Sequence, residues 1–373
     1  MPLAAPANIL NQALSPRLIR PVSLIIMSKL SVYLASICLS LTLSVSGIRA
    51  QLDRRSSNEQ RTQTVENARR LIETGKTDAA IQLLTDASKT SNKSEISYLL
   101  GLAYHQKRDY IHTVEYLSAS LKALPETGAD YRQAIQLLGI SHYLLGHYKE
   151  AIPYLEKANL LTPDSAEIIY ALGTCYIQTR NPDKSREAFA RMFKVPQSSG
   201  AAYVINAQMM VRQQFEELAE QELKRALELD PKLPQVNFLL GEMAIYHAEI
   251  DRGIALLQKE IEINPAFALA YYWLGEAYSR QLKWDEAIAP LQKSIWLNPY
   301  FSGPYIVLGK VYLKKNELPN AESMLRRASQ MDPNNFSAHH LLAQVLQRAN
   351  RPEEAKREFE IAEKLRTSAD NQQ

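Results

Sequence analysis

The side chains able to do chemistry are scattered along this chain. Seven histidines occur, His105, His112, His142, His147, His247, His339 and His340. None stands in a His-Glu-x-x-His arrangement, the spacing that turns two imidazoles toward one zinc ion from a single helix face. His339 and His340 are adjacent, and successive side chains on a helix diverge by about 100°, so they chelate poorly. Cys38 and Cys175 are the only cysteines, too few for a disulfide framework or a multi-cysteine zinc site. Cys175 lies in the apolar stretch Ala171-Leu172-Gly173-Thr174-Cys175-Tyr176, where a thiol behaves as a small core residue. There is no Gly-x-Gly-x-x-Gly, no Walker-type phosphate loop and no Gly-x-Ser-x-Gly nucleophile turn. The expectation is a chain with no catalytic residues, no metal and no cofactor.

Charge narrows the partners. The 373 residues hold 43 Lys and Arg against 40 Asp and Glu, a formal net charge of +3. Arg17, Arg20, Lys29 and Arg49 fall in the first fifty residues, which contain no acid, so beyond them 39 basic residues face 40 acidic ones. A nucleic-acid binder needs a basic excess, and this chain has none. With 46% hydrophobic and 22% charged residues it has the balance of a folded soluble protein.

From Leu30 to Gly47 the chain reads LSVYLASICLSLTLSVSG, apolar and uncharged. Met27-Ser28-Lys29 precedes it and Ile48-Arg49-Ala50 follows. A basic start, an apolar middle and a small residue at the cleavage point make a secretory signal. Residues 1–50 are therefore read as a signal peptide with an upstream extension, Met27 being a better start than Met1, and 51–60 as a linker. The expected location is exported, periplasmic or secreted. Left uncleaved, residues 30–48 would instead anchor the chain in a membrane, since about 18 apolar residues approach the length that spans a bilayer. Arg49, Arg54 and Arg55 would then mark its boundary.

The elements that must position any site emerge from an internal period. A small residue recurs in apolar surroundings at Ala68, Gly101, Gly139, Gly173, Ala207, Gly241, Gly275, Gly309 and Ala343. The last six intervals are all 34 residues. Twelve residues after each anchor comes another small or short side chain, as at Ala151, Ser185, Ala219 and Ala287, and four further on a bulky one, as at Leu155, Phe189, Leu223 and Leu291. Asp230-Pro231, Asn264-Pro265, Asn298-Pro299 and Asp332-Pro333 close units, proline disfavouring helix at the residue before it. Tyr271, Leu274, Gly275 and Tyr278 stand at i, i+3, i+4 and i+7, one face of a helix, and Ala287, Leu291 and Ser294 repeat the pattern on the next. Pro182, Pro319 and Pro352 stand where second helices begin, a place that tolerates a missing N–H.

This pattern resembles the tetratricopeptide repeat. Tyr271-Tyr272-Trp273-Leu274-Gly275-Glu276-Ala277-Tyr278, then Trp284-Asp285-Glu286-Ala287 and Asn298-Pro299, carry nearly every position of the 34-residue signature. The resemblance implies an all-α fold, a right-handed α-solenoid of about nine helix-turn-helix units. The units expected are 61–93, 94–131, 132–165, 166–199, 200–233, 234–267, 268–301, 302–335 and 336–369, with a tail at 370–373. Two joints depart from the pattern. Extra residues near Pro125-Glu126-Thr127-Gly128 lengthen one turn, and at Gln197-Ser198-Ser199-Gly200 the closing proline is displaced to Pro196. A 34-residue helix pair is too small to stand alone, so each unit leans on its neighbour. The last helix is expected to cap the stack, Phe359, Ala362 and Leu365 inward and Lys356, Arg357, Glu360, Glu363 and Lys364 outward.

In the family the first helices line an inner, concave wall. The positions that face it select a stripe: Gln235, Phe238, Glu242 and Ile245 with Tyr246; Leu269, Tyr272, Glu276, Ser279 and Arg280; Gly303, Ile306, Lys310, Leu313 and Lys314. Phe238, Glu242, Tyr246, Tyr272, Glu276, Arg280, Lys310 and Lys314 are the candidate peptide-binding residues, aromatics and charges of both signs, the types that anchor protein interfaces. The plainer expectation stands beside it, that the charges are merely solvated and that Phe238 or Tyr272 packs against the next unit. A Lys and Asn clamp for a chaperone tail, known in some members, is missing: Tyr98/Leu102, Gln136/Ile140, Val204/Gln208 and Tyr272/Glu276 hold neither. The function expected is a non-enzymatic protein-interaction scaffold of the cell envelope or secreted space. The alternative is an accessory subunit presenting substrate to an envelope transferase or peptidase. The partner is a protein or peptide, with no nucleic acid, and a membrane only if the leader is uncleaved.

Overall fold

The computed structural model describes residues 59–88 and 93–370. The expected signal segment, the alternative anchor expected at 30–48 and most of the expected linker lie outside them. Every regular element among the described residues is a helix, and the repeated helix pairs form an α-solenoid. None of these helices is long and apolar enough to cross a membrane. The chain divides into two compact units between Arg108 and Asp109.

The first unit holds α1 (59–73), α2 (Thr77–Ser88) and α3 (Lys93–Gln106). Ala68, Ala80, Leu84, Ile96 and Leu99 are sealed in its core. Lys107 reaches Asp78, and Arg61 reaches Glu95, across its surface.

The second unit begins with α4 (Tyr110–Leu121) and continues in pairs: α5 (Ala129–Leu144) with α6 (Tyr148–Leu161), α7 (Ala166–Gln178) with α8 (Pro182–Met192), α9 (Gly200–Arg212) with α10 (Glu216–Leu229), and α11 (Val236–Tyr246) with α12 (Ile250–Ile263). Then follow α13 (Ala268–Arg280) with α14 (Trp284–Leu297), α15 (Ser302–Lys314) with α16 (Leu318–Met331), and α17 (Phe336–Arg348) with α18 (Pro352–Asp370). Each helix packs on the next in sequence, and the first helices of neighbouring pairs also touch, α11 on α13, α13 on α15 and α15 on α17.

The period has a direct steric cause. All nine anchors are buried. A Cβ built on Gly275 would lie 2.7 Å from Leu291 Cδ2 and closer still to its Cγ; one on Gly173 would lie 2.7 Å from Phe189 Cζ. The small residue is thus the seat of the bulky side chain sixteen positions later, and ridges of one helix enter grooves of the other. Within each pair the connecting turn passes through the left-handed region: Gly146 at φ +75°, but also Arg180, Gln214, Ala248, Leu282, Asn316 and Asn350 at +57° to +65°. Helices commonly close on such a residue, which favours glycine. Here Asn316 and Asn350 tolerate it, while Arg180, Gln214, Ala248 and Leu282 are side chains that resist it.

Caps and prolines set the ends. Ser165, Asn181, Ser199 and Asn335 accept hydrogen bonds from the amides of Ile168, Lys184, Ala202 and Ala338. Pro182, Pro319 and Pro352 stand in first turns. The irregular joints are where the repeat faltered: residues 122–128 and 193–199 connect their helices, against four residues at 264–267 and 298–301. On α18, Ala362 is buried and Phe359 and Leu365 are half-buried, while Lys356, Arg357, Glu360, Glu363 and Lys364 face solvent, as a terminal cap requires.

Candidate functional site

The stripe is carried by α11, α13 and α15, and what holds α11 is a carboxylate from the next helix. Gln235 has φ +72° and offers no side-chain cap. Glu260 of α12, fully buried, accepts hydrogen bonds from the Gln235 amide (2.8 Å) and the Phe238 amide (3.3 Å). The helix N-terminus leaves such amides unpaired and attracts negative charge, so this buried acid is satisfied in place. Alanines occupy the same register at Ala226 and Ala328, and Ser294 bonds the Ala268 carbonyl there. The signal in the sequence was Glu260 standing where neighbouring units hold small residues, and the sequence reading missed it.

Phe238 is not a surface residue. It is 8% exposed, in a core cluster with Ile245, Leu257 and Leu274, and its ring meets Phe267 edge-on at 4.9 Å. Counting positions on one helix placed it on the wall; Phe267, arriving at the start of α13, covers it. Ile245, Ser279 and Leu313 of the same stripe are also buried.

Tyr272 is half-buried, edge-on to Phe301 at 5.0 Å, and burial and the Glu276 charge push its phenol upward against Arg280. It belongs partly to the packing of α13 on α15. Glu276 and Arg280 pair with each other, Nε to Oε1 at 3.0 Å, and Arg280 also donates to the Ile245 carbonyl of α11 at 3.5 Å. Arg348 makes the matching bond to Leu313 of α15 at 3.2 Å. These arginines tie the C-terminal ends of first helices together, an arrangement that suits the helix dipole.

Three candidates are left without a partner among the described residues. Glu242 is half-buried, accepts no hydrogen bond and has no ion pair, and burial alone raises its carboxyl above the ordinary range. Four residues on, where α13 has Arg280, α11 has Tyr246, 75% exposed and touching only the edge of His247. On α15 the same two positions are Lys310, half-buried, and Lys314, exposed. Glu242, Glu276 and Lys310 thus share one register on adjacent helices, and only the middle one is neutralised from within.

The histidines gather no ligand set, and the described residues contain no group of three metal-binding side chains. His339 is buried against Glu358 (2.6 Å) and the Pro333 carbonyl (3.0 Å), and His340 stacks on Phe336. Cys175 is buried, its thiol pushed up to about 12. A cavity of about 350 Å³ lies among α6, α7 and α8. The sequence had not located converging polar groups, and here Tyr176 and Lys184 meet on Glu156 and Arg191 reaches Asn159. Those groups satisfy one another.

Two family profiles, both described as tetratricopeptide repeat, match the chain, one over residues 143–203 and 302–367 and the other over 256–289. Those stretches of the chain are tetratricopeptide repeats. No curated protein sequence matches this repeat protein. Solved structures similar to it include MamA from Desulfovibrio magneticus RS-1, at 20% identity over 45% of this chain and 96% of that one, TM-score 0.42. YrrB, described as a TPR protein with an unusual peptide-binding site, is 18% identical over 48% of this chain and 93% of its own, TM-score 0.42. The Cut9–Hcn1 hetero-tetramer of the APC/C is similar at 18% identity over 72% of this chain and 52% of that one, TM-score 0.41.

Proposed function

We propose that this repeat protein is a non-enzymatic interaction scaffold that holds a peptide or protein segment on the face formed by α11, α13 and α15. One observation carries the reading. Glu242, Lys310 and Lys314 share that face without partners, and Glu242 is withdrawn from water as well. Removing a charge from water without compensation is costly, and a bound cation relieves the cost. Tyr246 beside it offers an exposed aromatic surface, a type that anchors interfaces. Repeat arrays use extended surfaces of this kind. In this reading the face is the concave wall, and the leader-like segment at 30–47 assigns the scaffold to the cell envelope or secreted space.

The test is capture from the exported fraction of the native host on the immobilised chain, with the retained protein identified. Tyr246→Ala combined with Lys310→Glu should abolish capture while the far-ultraviolet dichroism and melting curve stay unchanged. These positions are chosen over Tyr272, whose truncation would loosen its contact with Phe301. Equal capture by the double variant would refute the face.

A further inference from the structure

The partnerless charges are of two kinds and lie in two places. On α11, Glu242 and Tyr246 sit one turn apart, a half-buried carboxylate beside an exposed ring. A carboxylate with an aromatic face next to it suits a guanidinium or ammonium group, held by charge on one side and by the ring on the other. On α15, Lys310 and Lys314 sit one turn apart with no acid near enough to pair. They suit a carboxylate. Between them on α13, Glu276 and Arg280 cancel each other at 3.0 Å and present no net charge. The face is therefore negative at one end, neutral in the middle and positive at the other.

From this we infer that the occupant is an extended peptide segment with a basic residue on Glu242 and Tyr246 and an acidic residue on Lys310 and Lys314. The inference rests on the binding face proposed above and adds the order and spacing of charges that the face selects. Packed helices lie about 8–10 Å apart, so two steps from α11 to α15 place the subsites about 20 Å apart. An extended chain rises about 3.3 Å per residue, and base and acid then stand about six residues apart. A helical segment, rising 1.5 Å per residue, would need about thirteen. Charge complementarity also fixes direction: a segment with the order reversed must run the other way along the face or lose both contacts.

The experiment is selection of random sixteen-residue peptides displayed on phage against the immobilised full chain, followed by anisotropy titration of the selected peptides. The expected sequences carry Arg or Lys and Asp or Glu five to seven residues apart. Glu242→Lys should weaken them about tenfold, and replacing the peptide's basic residue by Glu should restore binding to that variant, which a purely structural role for Glu242 would not do. Glu242→Gln, which keeps the shape of the side chain, should weaken them with an unchanged melting curve. Peptides selected without this spacing, with the thirteen-residue spacing, or indifferent to Glu242 would overturn the inference and leave the face intact. No peptide enriched over a chain-free surface would overturn the peptide-binding reading and this inference together.

Discussion

The anchor glycines allow a sharp test of what holds the repeat. Two of them, Gly241 and Gly275, occupy the same register one repeat apart, and replacing either with alanine adds one methyl to a helix interior. Two terms oppose each other. Alanine gains about 1 kcal/mol over glycine in helix propensity, and overpacking a closed core costs about 1–3 kcal/mol. At Gly241 the new Cβ would lie 3.1 Å from Leu257 Cγ and 3.3 Å from the Gly253 carbonyl, so the neighbours must give by only a few tenths of an ångström. Propensity wins there, and the variant should match or exceed the parent by up to about 0.5 kcal/mol. At Gly275 the Cβ would press into the branch of Leu291, 2.7 Å from Cδ2, with the Ala287 carbonyl at 3.2 Å behind it. Leu291 is itself fully buried and has nowhere to swing. Packing wins there, for a net loss of about 1–2 kcal/mol.

Urea unfolding followed by far-ultraviolet dichroism reads the midpoints, and amide exchange of α13 and α14 reads the local loss, because an array of repeats need not open in one step. Combining Gly275→Ala with Leu291→Ala should cost less than the two single changes together, by about 1 kcal/mol or more, since the added methyl then fills part of the space. A Gly275→Ala protein as stable as the parent, or equal losses at both glycines, would refute the steric account of the 34-residue period.

Three further outcomes follow from particular residues. Leu282 is 66% exposed with φ +61° at the turn between α13 and α14; Leu282→Gly should stabilise by up to about 1 kcal/mol in the same urea assay, a left-handed side chain costing about 1–2 kcal/mol. The Cys175 thiol, buried and pushed up to about 12, should resist a disulfide reagent in the native protein at pH 8 and react at once in denaturant. The Tyr176 hydroxyl and then Lys184, outweighing the opposing effect of burial, hold Glu156 below the ordinary carboxylate range of 4.5. Its stabilising contribution is therefore present above pH 4.5 and lost as pH falls through the lower folded value; the stability gap between the parent and Glu156→Gln at pH 7 should close in acid.

The fold was legible because its determinant is local and repeated. Gly275, Ala287 and Leu291 stand twelve and sixteen residues apart, and each appears again 34 residues away, so steric necessity is written as a period. The site was legible in register and not in depth. Glu242, Glu276 and Lys310 could be aligned from spacing, but whether Phe238 meets solvent depends on Phe267 from the following pair. Likewise, Arg280 could be placed in the stripe from spacing, but its engagement by Glu276 and by the Ile245 carbonyl of the preceding pair could not. Glu260 lies on a helix of mixed charge, and its burial makes sense only with the amides at the start of α11 beside it. Such residues act through the neighbouring repeat, and a helix read alone does not contain that neighbour.

The proposed binding face is best tested by placing a photo-crosslinking amino acid at Tyr246 in the native host, with Trp296 as the comparison. Both positions are exposed, at 75% and 71%, one on the face of α11 and the other on α14, where Lys293 lies 3.9 Å from its ring centre. Irradiation should join a single partner to the chain through position 246 and none through position 296. Adducts through 296 alone, or through neither position, would contradict the account.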